Sequence, residues 1–167
     1  MFFVKKGEVM THMKKIKDKG FSLIELMVVI VIIGILAAGY IQFFGKGAEK
    51  AMVSKSKDGY SKIVEYIGVE MLVCSMGETS SMGGQLTCLN RTAASVVSAT
   101  VDAAKNDQKN PYSTQNAAVT SGGGNTADSD AGFIRLSASG TNIVAKTCHT
   151  KPCSTAANRN ERTIPLQ

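Results

Sequence analysis

Gly20-Phe21-Ser22-Leu23-Ile24-Glu25-Leu26-Met27 decides how this chain is read, because a lysine-rich stretch precedes it and an apolar run follows it. From Phe21 to Phe44 the only polar side chains are Ser22, Glu25, Tyr40 and Gln42. As a helix these 24 residues are long enough to cross a bilayer core of ~30 Å at ~1.5 Å per residue. The run holds one carboxylate, Glu25. An acid inside a membrane helix costs about 2.5–3.5 kcal/mol on insertion scales, so a chain that keeps one there has a use for it.

The flanks set the orientation. Lys14, Lys15, Lys17 and Lys19 crowd the N-terminal side, whereas Lys46, Lys50, Lys55 and Lys57 on the far side are interspersed with Glu49 and Asp58. The denser cluster holds the N-terminus in the cytoplasm and sends the C-terminal part across the membrane, although Lys46 and Lys50 weaken the asymmetry. The alternative is a secretory signal, with a shorter apolar region and a small-residue cleavage site behind it. Leu36-Ala37-Ala38-Gly39 could supply that site. The product would then be a soluble exported binding protein or enzyme starting near Gly39 or Tyr40.

Lys19 to Met27, continued by Val28-Val29-Ile30-Val31-Ile32-Ile33-Gly34-Ile35-Leu36-Ala37-Ala38, resembles the processing site of type IV prepilins. The resemblance covers about the first 45 residues, and the rest of the chain has only a compatible layout. It implies cleavage after Gly20 by a membrane prepilin peptidase, N-methylation of the new terminus at Phe21, and polymerisation into a pilus with other subunits. An inner-membrane platform and a cytoplasmic assembly ATPase are implied as partners. The subunit would sit in the inner membrane first and in an extracellular filament afterwards. A type II secretion pseudopilin shares the motif, and a minor, tip-located pilin fits it too.

The residues give this site a physical logic. Gly20 lacks a side chain, so a protease can approach its backbone closely. Residues 1–20 carry six lysines and two acids, Glu8 and Asp18; taking these from the chain's 19 basic and 13 acidic side chains leaves 13 and 11, so a net of +6 falls to +2. The basic balance belongs to the leader, which argues against a nucleic-acid surface. Repeated stripes of Lys and Arg along a filament keep that partner open. Cutting after Gly20 frees an amine at Phe21, about one helical turn from Glu25. Among bundled helices Glu25 of one subunit can neutralise the Phe21 amine of a neighbour, and a helix slipped by one turn strands both charges in a low dielectric. The resemblance implies the same role. The plainer alternative is a Glu25 that snorkels to the membrane edge.

The start of the leader is ambiguous. Initiation at Met13 leaves eight residues, which with Phe21 at the cut looks like the type IVa subclass; initiation at Met1 leaves twenty, closer to type IVb. Met10 is a third candidate. Type IVa pilins usually carry a helix-breaking proline late in the run, where Gln42 stands, and this chain has none before Pro111. Gly34, Gly39, Gly45 and Gly47 must therefore supply any unwinding, at ~1 kcal/mol each against Ala. Gly34–Gly39 is the stretch expected to yield in a filament.

Past the run, Tyr60, Ile63, Val64, Ile67, Met71 and Cys74 recur at three- and four-residue steps, the stripe of a helix with one face on a core. One helix from Phe21 to about Ser75 is expected, and a second over 91–105 capped by Thr92. Gly77–Gly84 and Ser121–Asn125 read as loops and Asn110-Pro111 as a turn. The glycine-rich stretch lacks the Lys-Ser/Thr ending of a phosphate loop. Phe133–Leu136 and Ile143–Lys146 flank Ser139-Gly140-Thr141-Asn142 as a β-hairpin, with a third strand from Gln85–Leu89 or from the tail near Ile164. The fold class is α+β: a long N-terminal helix packed on a small antiparallel sheet, the plan the pilin resemblance also implies. The divisions are a leader over 1–20, an apolar helix over 21–44, its amphipathic continuation over 45–75 and a globular domain over 76–167.

Cys74, Cys88, Cys148 and Cys153 all follow the membrane run, where an oxidising compartment permits disulfides. Three pairings exist. Cys74–Cys88 and Cys148–Cys153 are favoured because each closes a local loop in a segment with little core of its own. A zinc site formed by the cysteines with His149 is the alternative, but no Cys-x-x-Cys pair is present. No cofactor is indicated. His149 is the sole histidine after Gly20 and reads as an exposed loop residue, and no nucleophile-elbow motif surrounds a serine. Catalysis is not expected. Trp is absent, and Tyr60, Tyr66 and Tyr112 are not interleaved with a basic cluster. The chain is therefore read as a structural subunit.

Overall fold

A computed structural model of the chain describes residues 21–166, and for residues 41–45 the backbone alone. The leader and Gly20 lie outside the described residues. Helix α1 runs over Leu23–Ser75, 53 residues. The chain divides into two compact units, one ending at Gln42 and the other starting at Phe43, and α1 contributes to both.

In the first unit α1 is bare. Its apolar window, Leu23–Tyr40, buries nothing inside the molecule. A helix satisfies its own backbone groups, so an apolar sequence can hold this form in lipid without help from neighbours.

The second unit is a folded domain. Tyr60, Ile63, Val64, Ile67, Met71 and Cys74 of α1 are buried, while Lys55, Lys57, Lys62 and Glu65 face solvent. After α1 comes a small hairpin, β1 (Ser80–Ser81) antiparallel to β2 (Leu86–Thr87), with a 3-10 turn over Met82–Gly84 between them. Helix α2 (Ala93–Ala104) starts on Thr92, whose side chain accepts from the Ser95 amide while Ser95 Oγ accepts from the Thr92 amide. Two orphan donors are satisfied by this exchange. Strand β3 (Lys109–Asn110) pairs antiparallel with β4 (Ser113–Ala117) across the Pro111-Tyr112 turn.

The main sheet has the order β5-β6-β7-β8, formed by β5 (Val119–Ser121), β6 (Ile134–Ser139), β7 (Asn142–Cys148) and β8 (Arg159–Pro165). The β6–β7 hairpin turns at Gly140-Thr141, with Ser139 opposite Asn142. Gly140 takes φ +60° there, a conformation that a two-residue hairpin turn needs and glycine supplies without strain. The tail supplies the third antiparallel strand, Ile164 opposite Ile143, whereas Leu86–Thr87 pairs elsewhere. The expected antiparallel sheet gains one parallel edge, Val119 of β5 opposite Ile134 of β6.

Alternation gives the sheet two faces. Ile134, Leu136, Ile143 and Ala145 are almost fully buried and share one core with α1 and α2. Tyr60 Oη, from α1, donates to the Ala145 carbonyl at 3.3 Å. On the open face Thr120, Arg135, Lys146 and Glu161 lie opposite one another in one row. Arg135 and Lys146 are like charges side by side, which alone would repel. Each is met by an acid: Asp130 lies 2.9 Å from Arg135 and Glu161 lies 3.3 Å from Lys146.

Candidate assembly site

The N-terminal end of α1 is built by two side chains. The Ser22 amide donates to Glu25 Oε2 at 2.9 Å, and the Ile24 amide donates to Ser22 Oγ at 3.2 Å. The Leu26 amide donates to the Ser22 carbonyl at 3.2 Å, the first helical bond. Ser22 is thus the N-cap and Glu25 the residue that reaches back to it, both placed by the Ser-x-x-Glu spacing. The negative carboxylate sits in the first turn, where the helix dipole favours it.

Phe21 stands one residue outside this cap and is 85 % exposed. Its amide nitrogen, the atom that hydrolysis after Gly20 would turn into a terminal amine, is one residue from the nitrogen that Glu25 already holds. The twelve large apolar residues from Leu23 to Leu36 are all exposed. A contiguous surface of this kind, far beyond the patches that soluble monomers show, calls for lipid or other helices. Gly34 and Gly39 are open on all sides: a Cβ at either position would meet nothing within 4 Å, and α1 continues through both.

At the other end of the chain a polar cluster ties the C-terminal loop down. Cys148 is bonded to Cys153, and Cys74 to Cys88. No cysteine is left free, so none has a thiolate to offer a metal. Tyr112 Oη donates to the His149 carbonyl at 2.8 Å, the His149 amide donates to the Asn158 carbonyl at 2.9 Å, and the Cys153 amide donates to Asp128 Oδ1 at 2.7 Å. Asn110, fully buried, accepts from the Tyr112 amide at 2.8 Å and donates to the Ala131 carbonyl at 3.1 Å.

The expectation of an exposed His149 does not hold. It is 4 % exposed, and its Nδ1 has no hydrogen-bond partner. Burial lowers its pKa below 6.5, and the nearby charge of Lys57 on α1 lowers it further. Burial also pushes the Tyr112 phenol above 10.0, with Glu49 adding to the shift and the contact with Thr150 opposing it. Ser22 is the residue that the sequence reading missed. The signal was present, since Ser-x-x-Glu ahead of an apolar run is a capping box.

Residues 15–41 match a family model, described as the prokaryotic N-terminal methylation motif. This is the class III leader signal of type IV pilins and pseudopilins. The match takes in Gly20, Phe21, Ser22 and Glu25 together. No curated protein and no solved structure matches the chain.

Proposed function

We propose that a chain carrying this signal is the structural subunit of a type IV pilus. It is cut after Gly20, methylated on the Phe21 amine, and polymerised through residues 21–44. Residues 1–20 are then the discarded leader, and residues 76–167 form the globular part displayed outside the cytoplasm. The single observation that carries this reading is the bare apolar helix with its one carboxylate at the first turn, inside the stretch that the methylation motif matches. In lipid that helix is stable alone; among its own kind it can pack without exposing the acid.

Glu25 then works in two settings. In the lone subunit it caps its own helix. In the filament it also faces the terminal amine of the neighbour, in a dielectric low enough to make a stranded charge costly. Two disulfides in the domain favour a pilin over a pseudopilin of the same motif, because pseudopilins of the major type usually lack them. The filament grows from the membrane by way of a platform and an ATPase.

Mass spectrometry of the mature chain tests the cut. A start at methyl-Phe21 is the expected result, and a start at Gly39 or Tyr40 would identify an exported soluble domain. Electron microscopy of sheared cell-surface fibres, with this chain as their principal subunit, tests the polymer.

A further inference from the structure

Ser56 lies in the part of α1 that belongs to the folded domain. It is 3 % exposed, and its Oγ has no hydrogen-bond partner among the described residues. A helical serine can bond the carbonyl one turn back, and a buried hydroxyl that does not is destabilising. This one lines a cleft of ≈ 440 Å³ that lies wholly within the second unit. Small-molecule sites occupy roughly 300–1,000 Å³ and combine apolar walls with a few convergent polar groups. Buried Ala118 and Ile134 give this cleft its apolar wall. Gly59 opens it on the helix side: a Cβ there would stand 3.0 Å from Gln108 Oε1, so the bare backbone lets the Gln108 amide come in against α1.

The charges that line the cleft differ in whether they are already spoken for. Asp58 and Lys62, one turn apart on α1, hold each other at 2.7 Å. Lys55 of α1, Lys109 of β3 and Asp107, which follows α2, line the same cleft and form no ion pair among the described residues. Two cations and one anion are therefore uncommitted, beside a primary amide and a buried hydroxyl. A neutral solute would leave all three charges unanswered. A plain dianion would meet the lysines but also Asp107, which repels it. A ligand with two anionic groups and one cationic group answers the whole set.

We propose that this cleft binds a free dicarboxylic amino acid. Lys55 and Lys109 answer its two carboxylates and Asp107 its ammonium, while the Ser56 hydroxyl donates to a carboxylate oxygen. The lysines are exposed, and water screens what they contribute. Ser56 is the buried group of the set, so its bond, charge-assisted and shielded from water, carries the discrimination. The cleft is built by the domain alone and depends on neither the membrane orientation nor the filament.

The test is calorimetric titration of the detergent-solubilised full chain with L-glutamate and L-aspartate, with L-glutamine and glutarate as probes that each lack one charged group. One of the two acidic amino acids should bind, and glutamine and glutarate should bind it at least several-fold more weakly. Ser56→Ala should weaken binding about tenfold, the loss expected for one hydrogen bond to a charged group. In the absence of ligand the same variant should melt no lower than the unmodified chain, because it removes a buried hydroxyl that has no partner. The Lys55→Gln/Lys109→Gln double variant should also bind weakly, and Lys151→Gln, an exposed lysine outside the cleft, should bind normally. No binding of either acidic amino acid at millimolar concentration would overturn the proposal, as would equal binding of glutarate or an equal loss in Lys151→Gln. A lower melting temperature for ligand-free Ser56→Ala would assign the hydroxyl to packing and overturn it too.

Discussion

Glu25→Gln is the substitution that separates the two tasks assigned to this residue. Glutamine keeps an acceptor for the Ser22 amide, now at 2.9 Å from Glu25 Oε2, and a capping box tolerates Glu or Gln at this position. The charge is lost. Glu25→Ala removes both the acceptor and the charge, and the cap alone is worth about 0.3–1.5 kcal/mol. In a filament core, stranding one partner of a buried charge pair costs about 3–5 kcal/mol. At ~1.4 kcal/mol per tenfold that weakens each subunit addition by roughly a hundredfold to several thousandfold. The two variants should therefore look alike in assembly and differ only in helix onset. Both should insert in the membrane, as carbonate extraction reports, and both should give few or no sheared fibres. Backbone amide exchange at Ser22 should be fast in Glu25→Ala and slow in Glu25→Gln. Normal fibre yield from Glu25→Gln, with none from Glu25→Ala, would refute the pairing argument and leave the cap as the whole role of Glu25.

Three further outcomes are expected. Gly132→Ala should lower the melting temperature of the detergent-solubilised chain sharply, because a Cβ there would meet Asn110 Oδ1 and Tyr112 Cδ2 (the latter at 2.8 Å) at a backbone φ of +79°; overpacking alone costs about 1–3 kcal/mol, and an unchanged melt would show that the loop can shift aside. Replacing Cys74 and Cys88 by serine should destabilise the domain more than replacing Cys148 and Cys153, since the bonded residues are 14 and 5 apart and loop-closure entropy gives ~3 and ~2 kcal/mol; the reverse order in calorimetry would count against an entropic origin. The depressed pKa of His149 makes the unfolded chain the better proton acceptor, so stability should be full above the unfolded value of ~6.5 and fall as pH drops through it towards the folded pKa; melts between pH 7.5 and 5.5 should show this slope, and His149→Gln should flatten it.

Local sequence signals were sufficient wherever an element is specified by its own residues. The apolar run, the Thr92 cap of α2 and the Gly140 turn each carry their instructions within a few positions, and the structure places a helix start, a second helix and a hairpin there. The tail strand had one competitor, resolved because Ile164 can face Ile143 on the buried side while Leu86 is drawn to Ser81. The failures are nonlocal. Gly77–Gly84 reads as a loop by composition, yet Met82 is 1 % exposed in the core, its amide held by the Glu70 carboxylate of α1. No spacing rule connects those two residues. The parallel edge β5 depends on a loop that brings Val119 beside Ile134, and short polar strands such as this one have no alternation to betray them. His149 is buried where the Tyr112 hydroxyl and the Asn158 carbonyl, from two separate segments, hold its backbone, a meeting that only the fold arranges. The Ser22 cap was different in kind: its pattern was legible, but the run that follows it was read for its length, not its start.

On the proposed reading, the capped state of Glu25 bears on the energetics of growth. The twelve large apolar side chains from Leu23 to Leu36 are exposed in the lone chain, and at ~1.5–3 kcal/mol each their removal from water comes to roughly 20–35 kcal/mol. Water is therefore not a way-station between membrane and filament, and both end states are dry. Lipid tails are as apolar as a packed core of Leu and Ile, so the hydrophobic term nearly cancels between them. The decision falls to packing and to charge. A bare carboxylate in lipid would drive the subunit out on its own, but Glu25 is not bare: the Ser22 amide already bonds it, and the first helical turn lends it a favourable dipole. The lone subunit is thereby a comfortable resident of the membrane, and the net gain from pairing with a neighbour is the attraction to the amine less whatever strain the cap accepts in sharing its acceptor. Ser22→Ala removes only the Oγ that accepts from the Ile24 amide and keeps the backbone amide that bonds Glu25, so it should weaken the start of the helix and leave assembly near normal, while Glu25→Gln prevents assembly. A loss of fibres in Glu25→Gln but not in Ser22→Ala distinguishes a charge that draws subunits together from a carboxylate that merely starts a helix.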